Sequence, residues 1–435
     1  MNAHRIDNVE NNHLYYQQDQ RAPMTYMTVV FHGGGFQQEQ KHLEGVARIT
    51  ARTLFRGTPT LTREMISRKF DLLGANVEAG ASETDFFISI SSFSKNLREV
   101  LNLVSSTLQD AHFPTMELDL VRKQELNIME ASLQDPDRVL SSANEYVLFG
   151  QNAMGKFGSR GAIDRITRSD VLQYMANVRS CPTMYFTAIS DKTREELDTH
   201  LAVFASDRRV DGFSLKPEIK FEDSHGLEAV IINSPEATND RLIWSHRGID
   251  ATDDRRFDLS LIIDALGSFE GYLFDQLRNK NGWCYGAYAY FMPATTRPGR
   301  IAYYSDPSSE NSAKLIPEML RLIDVFPREK EFIERLAERN ATFKNRYAYQ
   351  LDIKKKLTNE VNRDRYGIPI LDQESYNKRI DAVNYGTAKQ AMDEVFDPKN
   401  ITMVFYGDAE RLRRTLGSLS PAIKITAFEK EVLVE

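Results

Sequence analysis

The stretch Met24-Thr25-Tyr26-Met27-Thr28-Val29-Val30-Phe31-His32 is rich in β-branched and aromatic residues and runs into Gly33-Gly34-Gly35, so a strand ending in a glycine loop is expected there. From Gly45 to Phe55 the apolar residues Val46, Ile49 and Leu54 fall at helical spacing, and the pattern stops before Gly57-Thr58-Pro59. A second helix is expected from Arg63 to Leu73, closed by Gly74. Asp85 to Phe93 alternates through Ile88-Ser89-Ile90-Ser91, as a half-buried strand does. Helical patterns follow from Leu97 to Asp110 and from Met116 to Leu133, the latter closed by Gln134-Asp135-Pro136-Asp137.

The same order returns later. Asp254 to Leu266 and Tyr272 to Lys280 read as helices, Tyr285 to Phe291 and Arg300 to Ser305 as strands, and Ala313 to Val325 and Lys330 to Tyr349 as helices. The strand ending Ala188-Ile189-Ser190-Asp191 has a counterpart in Phe405-Tyr406-Gly407-Asp408. Gly74 to Gly282 is 208 residues and Asp191 to Asp408 is 217, so the two offsets differ only by a loop insertion. A module repeated at that period predicts an α+β protein of two similar domains, 1–215 and 216–435, joined near Asp211 to Asp223.

Composition supports this picture. The 435 residues exceed a single ordinary domain, and 41% hydrophobic residues suffice for two cores. The net charge of -7 offers no basic field for nucleic acid or anionic lipid, and no apolar run reaches the length of a membrane span. With no apolar leader-like stretch at the N-terminus, a cytoplasmic protein is expected. Two cysteines, Cys181 and Cys284, make neither a disulfide framework nor a zinc ribbon, and the eight histidines include no i, i+4 pair. Gly33-Gly34-Gly35 lacks the Lys-Ser/Thr of a phosphate loop and reads as a turn.

The segment Gly45-Val46-Ala47-Arg48-Ile49-Thr50-Ala51-Arg52-Thr53-Leu54-Phe55-Arg56-Gly57-Thr58, followed by Leu72-Leu73-Gly74-Ala75, resembles the signature region of the pitrilysin/insulinase-type zinc peptidases, including their mitochondrial-processing-peptidase-like bacterial members. In that family the helix carries H-x-x-E-H. Here the two histidine positions hold Arg48 and Arg52, and the glutamate position holds Ala51. Arginine stays protonated and offers a metal no lone pair, and alanine cannot act as a general base. The family's third ligand, a glutamate on a later helix, corresponds to Glu130, with Glu125 as the alternative. A carboxylate facing two guanidiniums would pair with them, so Arg48 or Arg52 is expected to hold Glu130 where the family holds zinc.

The resemblance extends to Gly271-Tyr272-Leu273-Phe274-Asp275-Gln276-Leu277-Arg278 and on to Trp283-Cys284-Tyr285-Gly286, which is similar to the family segment bearing an Arg/Tyr pair. It implies two homologous processing-peptidase-type domains, each a mainly antiparallel sheet with packed helices. It also implies that Arg278 and Tyr285 bind the substrate carbonyl and stabilise the transition state. By the same likeness the strand around Ala79, Gly80 and Ala81 is the edge to which a peptide substrate adds. The expected role is that of the metal-free subunit of a heterodimeric peptidase, whose homologous partner has an intact H-x-x-E-H and carries the zinc. The alternative is an inert peptide-binding or scaffold protein of the same fold.

Overall fold

The computed structural model describes residues 4–5, 12–149, 155–204, 226–348, 353–396, 398–419 and 423–435. The expected joint at Asp211 to Asp223 lies outside the described residues. By internal contacts the chain forms two compact units. The first comprises Met1–Met129, Gly158–Pro217 and Asp352–Arg365; the second comprises Glu130–Phe157, Glu218–Leu351 and Tyr366–Glu435. Relative to a single cut at 215/216, one segment of each half belongs to the other unit.

The first unit is built on strands β1 (His4–Arg5), β2 (Asn12–Gln18), β3 (Met24–His32), β4 (Ala75–Ala81), β5 (Asp85–Phe93) and β6 (Thr183–Ser190), in the order β1-β2-β6-β3-β5-β4. Only β2 and β6 run parallel. On one face the register pairs Met27 with Ile90, Val29 with Ile88 and Phe31 with Phe86, all deeply buried. Helices α1 (Val46–Thr53), α2 (Arg63–Leu73) and α3 (Leu97–Gln109) lie along the chain between these strands, α1 and α2 packing on β4 and α3 on β5. The opposite face is closed by the helix Ile353–Tyr366, whose Leu357 and Val361 cover Tyr15, Val30 and Tyr185.

The second unit repeats the plan with β7 (Glu228–Asn233), β8 (Arg241–Arg247), β9 (Cys284–Met292), β10 (Arg300–Pro307), β11 (Thr402–Gly407) and β12 (Lys424–Ala427), in the order β12-β7-β11-β8-β10-β9. Replacing β2, β6, β3, β5 and β4 by β7, β11, β8, β10 and β9 converts one order into the other, including the single parallel pair within that set. Duplication therefore holds at the level of strand pairing. Only the outermost strand differs, since β1 runs antiparallel to β2 and β12 runs parallel to β7. Trp244, Tyr303 and Phe405 centre a core shared with the helices Arg256–Gly267 and Ser312–Val325.

Two helices continue the first half of the chain: α4 (Thr115–Leu133) and α5 (Pro136–Leu148). In the second unit α5 packs on β8 and β11. Its seat there is polar. Asn144 donates to Ser245 Oγ at 2.6 Å and accepts from buried Arg300 at 3.1 Å, and Glu145 pairs with Arg300 at 3.4 Å. Asp137 pairs with Arg241 at 2.8 Å. Burial lowers the Arg300 pKa from its usual value, with Glu145 opposing that shift. No described helix is long and apolar enough to cross a membrane.

Candidate functional site

Helix α1 begins at Gly45, whose φ of +101° falls in the left-handed region that glycine adopts without strain. Six of its eight residues are buried, Ala51 among them, which leaves Arg48 and Arg52 one turn apart on the remaining face. Glu39 holds the start of the helix. Its carboxylate accepts the Gly45 N–H at 2.8 Å and the Ala47 N–H at 2.7 Å, two donors that a helix N-terminus leaves unpaired. Burial pushes the Glu39 carboxyl up to about 7, against the pull of those N–H groups and of Arg48. The side chain still meets solvent at its edge, but the carboxylate itself is enclosed.

The carboxylate that the structure places against both arginines is Glu125. It is 1% exposed, with Oε1 2.7 Å from Arg52 Nε and Oε2 3.5 Å from Arg48 Nη1, the former an ion pair off the line of a hydrogen bond. Sequence spacing favours Glu130 over Glu125, and the packing of α4 corrects that expectation. The buried face of α4 runs through Leu118, Val121, Glu125, Met129 and Leu133. Glu130 is five residues beyond Glu125, about 140° around the helix, and is exposed. Farther along the same ridge Glu117 accepts from Arg56 at 2.9 Å and lies 3.6 Å from Arg63.

This donor set does not fit zinc. Two guanidiniums flank an alanine where three ligating or basic groups would be needed, and among the described residues no group of three or more His, Cys, Asp or Glu could hold a metal ion. Ala79, Gly80 and Ala81 lie on β4, which ends the first sheet and against which α1 packs. A Cβ at Gly80 would fall 2.4 Å from the Phe87 ring, so that strand position admits only glycine without a shift of the ring. The Gly33-Gly34-Gly35 loop is a packed turn. Gly33 and Gly35 both donate to Thr84 O, and Tyr174 donates to the Gly34 and Gly35 carbonyls.

In the second unit the helix Tyr272–Phe274 tightens into a π-turn over Asp275–Lys280, ending near Gly282. That turn brings Arg278 under the start of β9. Its guanidinium lies 4.8 Å from the Phe274 ring and 4.7 Å from the Tyr285 ring, and Nη1 donates to Tyr285 O at 2.6 Å. Such cation–π sandwiching fixes the plane of the fork and leaves further donors for a ligand. Tyr285 is 71% exposed and stands on β9, the terminal strand of the second sheet. Neighbouring Cys284 is buried, and burial pushes its thiol up to about 11, away from the thiolate that a nucleophile uses. The sequence brought out the Arg278/Tyr285 spacing but not the part of Phe274, whose position four residues before Arg278 on one helix face was the available signal.

Two sheets of matching strand order, with Arg48 and Arg52 on the open face of α1 in the first unit and the Arg278/Tyr285 pair at the terminal strand of the second, define a two-module peptidase-like fold. Residues 14–151 match the family described as Insulinase (Peptidase family M16), and residues 165–332 match Peptidase M16 inactive domain. The chain belongs to the peptidase M16 family. It is 21% identical over 271 residues to the uncharacterized zinc protease YmxG of Bacillus subtilis (strain 168), and 21% identical over 287 residues to the uncharacterized zinc protease ML0855 of Mycobacterium leprae (strain TN). Those matches cover 60% and 63% of this chain, and span 63% and 64% of the length of the two relatives.

Among solved structures, a peptidase M16 inactive domain from Pseudomonas fluorescens superposes with a TM-score of 0.77 at 18% identity, covering 94% of this chain and 99% of that one. The first half of the periplasmic protease PqqL from Escherichia coli superposes at 0.74 with 16% identity, covering 96% and 94%. At such identities the likeness establishes the fold.

Proposed function

We propose that this chain is the non-catalytic subunit of a heterodimeric zinc peptidase. Its homologous partner has an intact H-x-x-E-H and carries the zinc, and this chain contributes Arg278 and Tyr285 to peptide binding and transition-state stabilisation. The observation that carries the reading is the asymmetry between the two units: α1 has arginine and alanine at the metal and base positions, while β9 keeps an exposed tyrosine beside an oriented guanidinium. A guanidinium fork and a phenol are suited to a polarised carbonyl and a developing oxyanion.

The test is to isolate the tagged chain gently from its host, identify what accompanies it by mass spectrometry, and assay peptide hydrolysis with and without a chelator. A stoichiometric partner bearing H-x-x-E-H, with chelator-sensitive activity that falls in Arg278→Ala, is the expected result. Recovery of the chain alone and inert would overturn the proposal and favour the peptide-binding or scaffold reading. One observation favours that second reading: Arg278 already spends a donor on the Tyr285 carbonyl of its own unit.

A further inference from the structure

We infer that Arg52, on the face of α1 where the family places zinc, forms a binding site for a carboxylate carried by a peptide. Arg52 uses Nε against Glu125, while its terminal amino groups make no hydrogen bond to any described residue and its side chain is 42% exposed. A guanidinium anchored through Nε presents its two Nη groups as a planar fork, the geometry that takes a carboxylate in bidentate fashion. The acid that holds it, Glu125, is 1% exposed and lies 2.7 Å from Nε as an ion pair.

The local charge balance favours an anion. The face shared by α1, α2 and α4 gathers Arg48, Arg52, Arg56 and Arg63 on two carboxylates, Glu117 and Glu125. Both acids are committed to their arginines, and Glu125 is sealed below them, so an approaching anion meets guanidinium edges first. Glu39, which acts on Arg48, is turned into the α1 N-terminus and has its pKa raised by burial. The chemical class follows from position as well as charge: α1 packs on β4, the terminal strand of its sheet, so the carboxylate belongs to an extended peptide, as its C-terminus or as an Asp or Glu side chain. The site stands apart from the complementing role, because its test uses this chain alone.

The experiment is fluorescence-anisotropy binding to the full chain with three labelled nine-residue Ala/Ser/Gly peptides: a free acid, its amide, and an amide with one internal Glu. Binding of the free acid with at least ten-fold weaker binding of its amide would mark the C-terminus as the source; binding of the amide with the internal Glu would mark the side chain. Arg52→Gln combined with Glu125→Gln keeps a neutral, hydrogen-bonding pair at the site, and its melting curve checks the fold. That double variant is expected to weaken binding of the responsive peptide at least ten-fold, with Arg52→Lys intermediate. Equal affinity for all three peptides, no binding by any, or undiminished affinity in the folded double variant would overturn the inference.

Discussion

Glu125 is enclosed in α4 yet lies 2.7 Å from Arg52, a residue whose guanidinium reaches solvent. A buried carboxylate is tolerated only when paired, so the exposed arginine keeps the acid below it from being an isolated charge. Removing the arginine alone is therefore costlier than removing both. Arg52→Ala is expected to destabilise the first unit by about 2 kcal/mol, at the low side for a broken buried pair because water can reach the vacated space. Glu125→Gln in the same chain is expected to restore most of the loss. Urea unfolding of the single and double variants checks it, and equal losses in both would remove Glu125 as the cause.

Glu39 gives the protein a pH dependence with a definite sign. Its carboxyl ordinarily titrates near 4.5 and here near 7, so the folded chain holds the proton more tightly than the unfolded one. The resulting stabilisation is complete below about 4.5 and is lost as the pH rises through about 7. Over that window the group should withdraw about 3 kcal/mol, from about 1.4 kcal/mol per pKa unit. Glu39→Gln cannot titrate, so its stability relative to the natural chain is expected to rise between pH 5 and pH 8. Thermal melts at the two pH values test the slope, and parallel behaviour would show that Glu39 does not carry it.

Under the proposed complementing role, the Arg278 cage separates two contributions to the activity of the proposed complex. Arg278→Ala in the complex is expected to lower kcat/KM about 100-fold, the scale for losing one donor to a developing oxyanion. Phe274→Leu retains the charge but removes one face of the cation–π sandwich, and a loss of about ten-fold, mainly in kcat, is expected as the fork loses its orientation. Steady-state kinetics of the reconstituted complex distinguishes them. If Arg278→Ala were silent while the complex stayed intact, the pair would have no part in catalysis.

Much of the architecture was legible in the chain. Helix α2 has the expected bounds, with Gly74, at a φ of +61°, closing its end; the structure adds the Thr62 cap at its start, and Gly282, at +66°, marks the equivalent point of the second module. Strand β5 was equally clear from its alternation. By contrast β2, Asn-His-Leu-Tyr-Tyr-Gln-Gln, went unread, since its polar ends hide the run that pairs with β6. At the site, the arginine substitutions were visible, but the acid beneath them was not settled by spacing: Glu125 and Glu130 share a helix, and only packing distinguishes its buried ridge from its exposed one. The assignment of α5 and the helix Ile353–Tyr366 to units of the opposite half also left no local signal, because it depends on which sheet face lacks a cover.

That exchange leads to the last prediction. Leu357 and Val361 close the sheet face of the first unit over Tyr15, Val30 and Tyr185, although they come from the second half of the chain. The second unit in turn receives α5, bound through Asn144, Glu145 and Asp137 to Ser245, Arg300 and Arg241. Separating the chain between 215 and 216 would strip each sheet of a helix, exposing apolar side chains in the first and leaving Arg300 buried without its acid in the second. Fragments 1–215 and 216–435 expressed singly are expected to lack a cooperative melt, and co-expressed they are expected to copurify as a folded pair. Leu357→Ala in the intact chain should cost about 2–3 kcal/mol in the unfolding of the first unit. A fragment 1–215 that folds cooperatively alone, or an indifferent Leu357→Ala, would mean that the helix is dispensable to the sheet it covers.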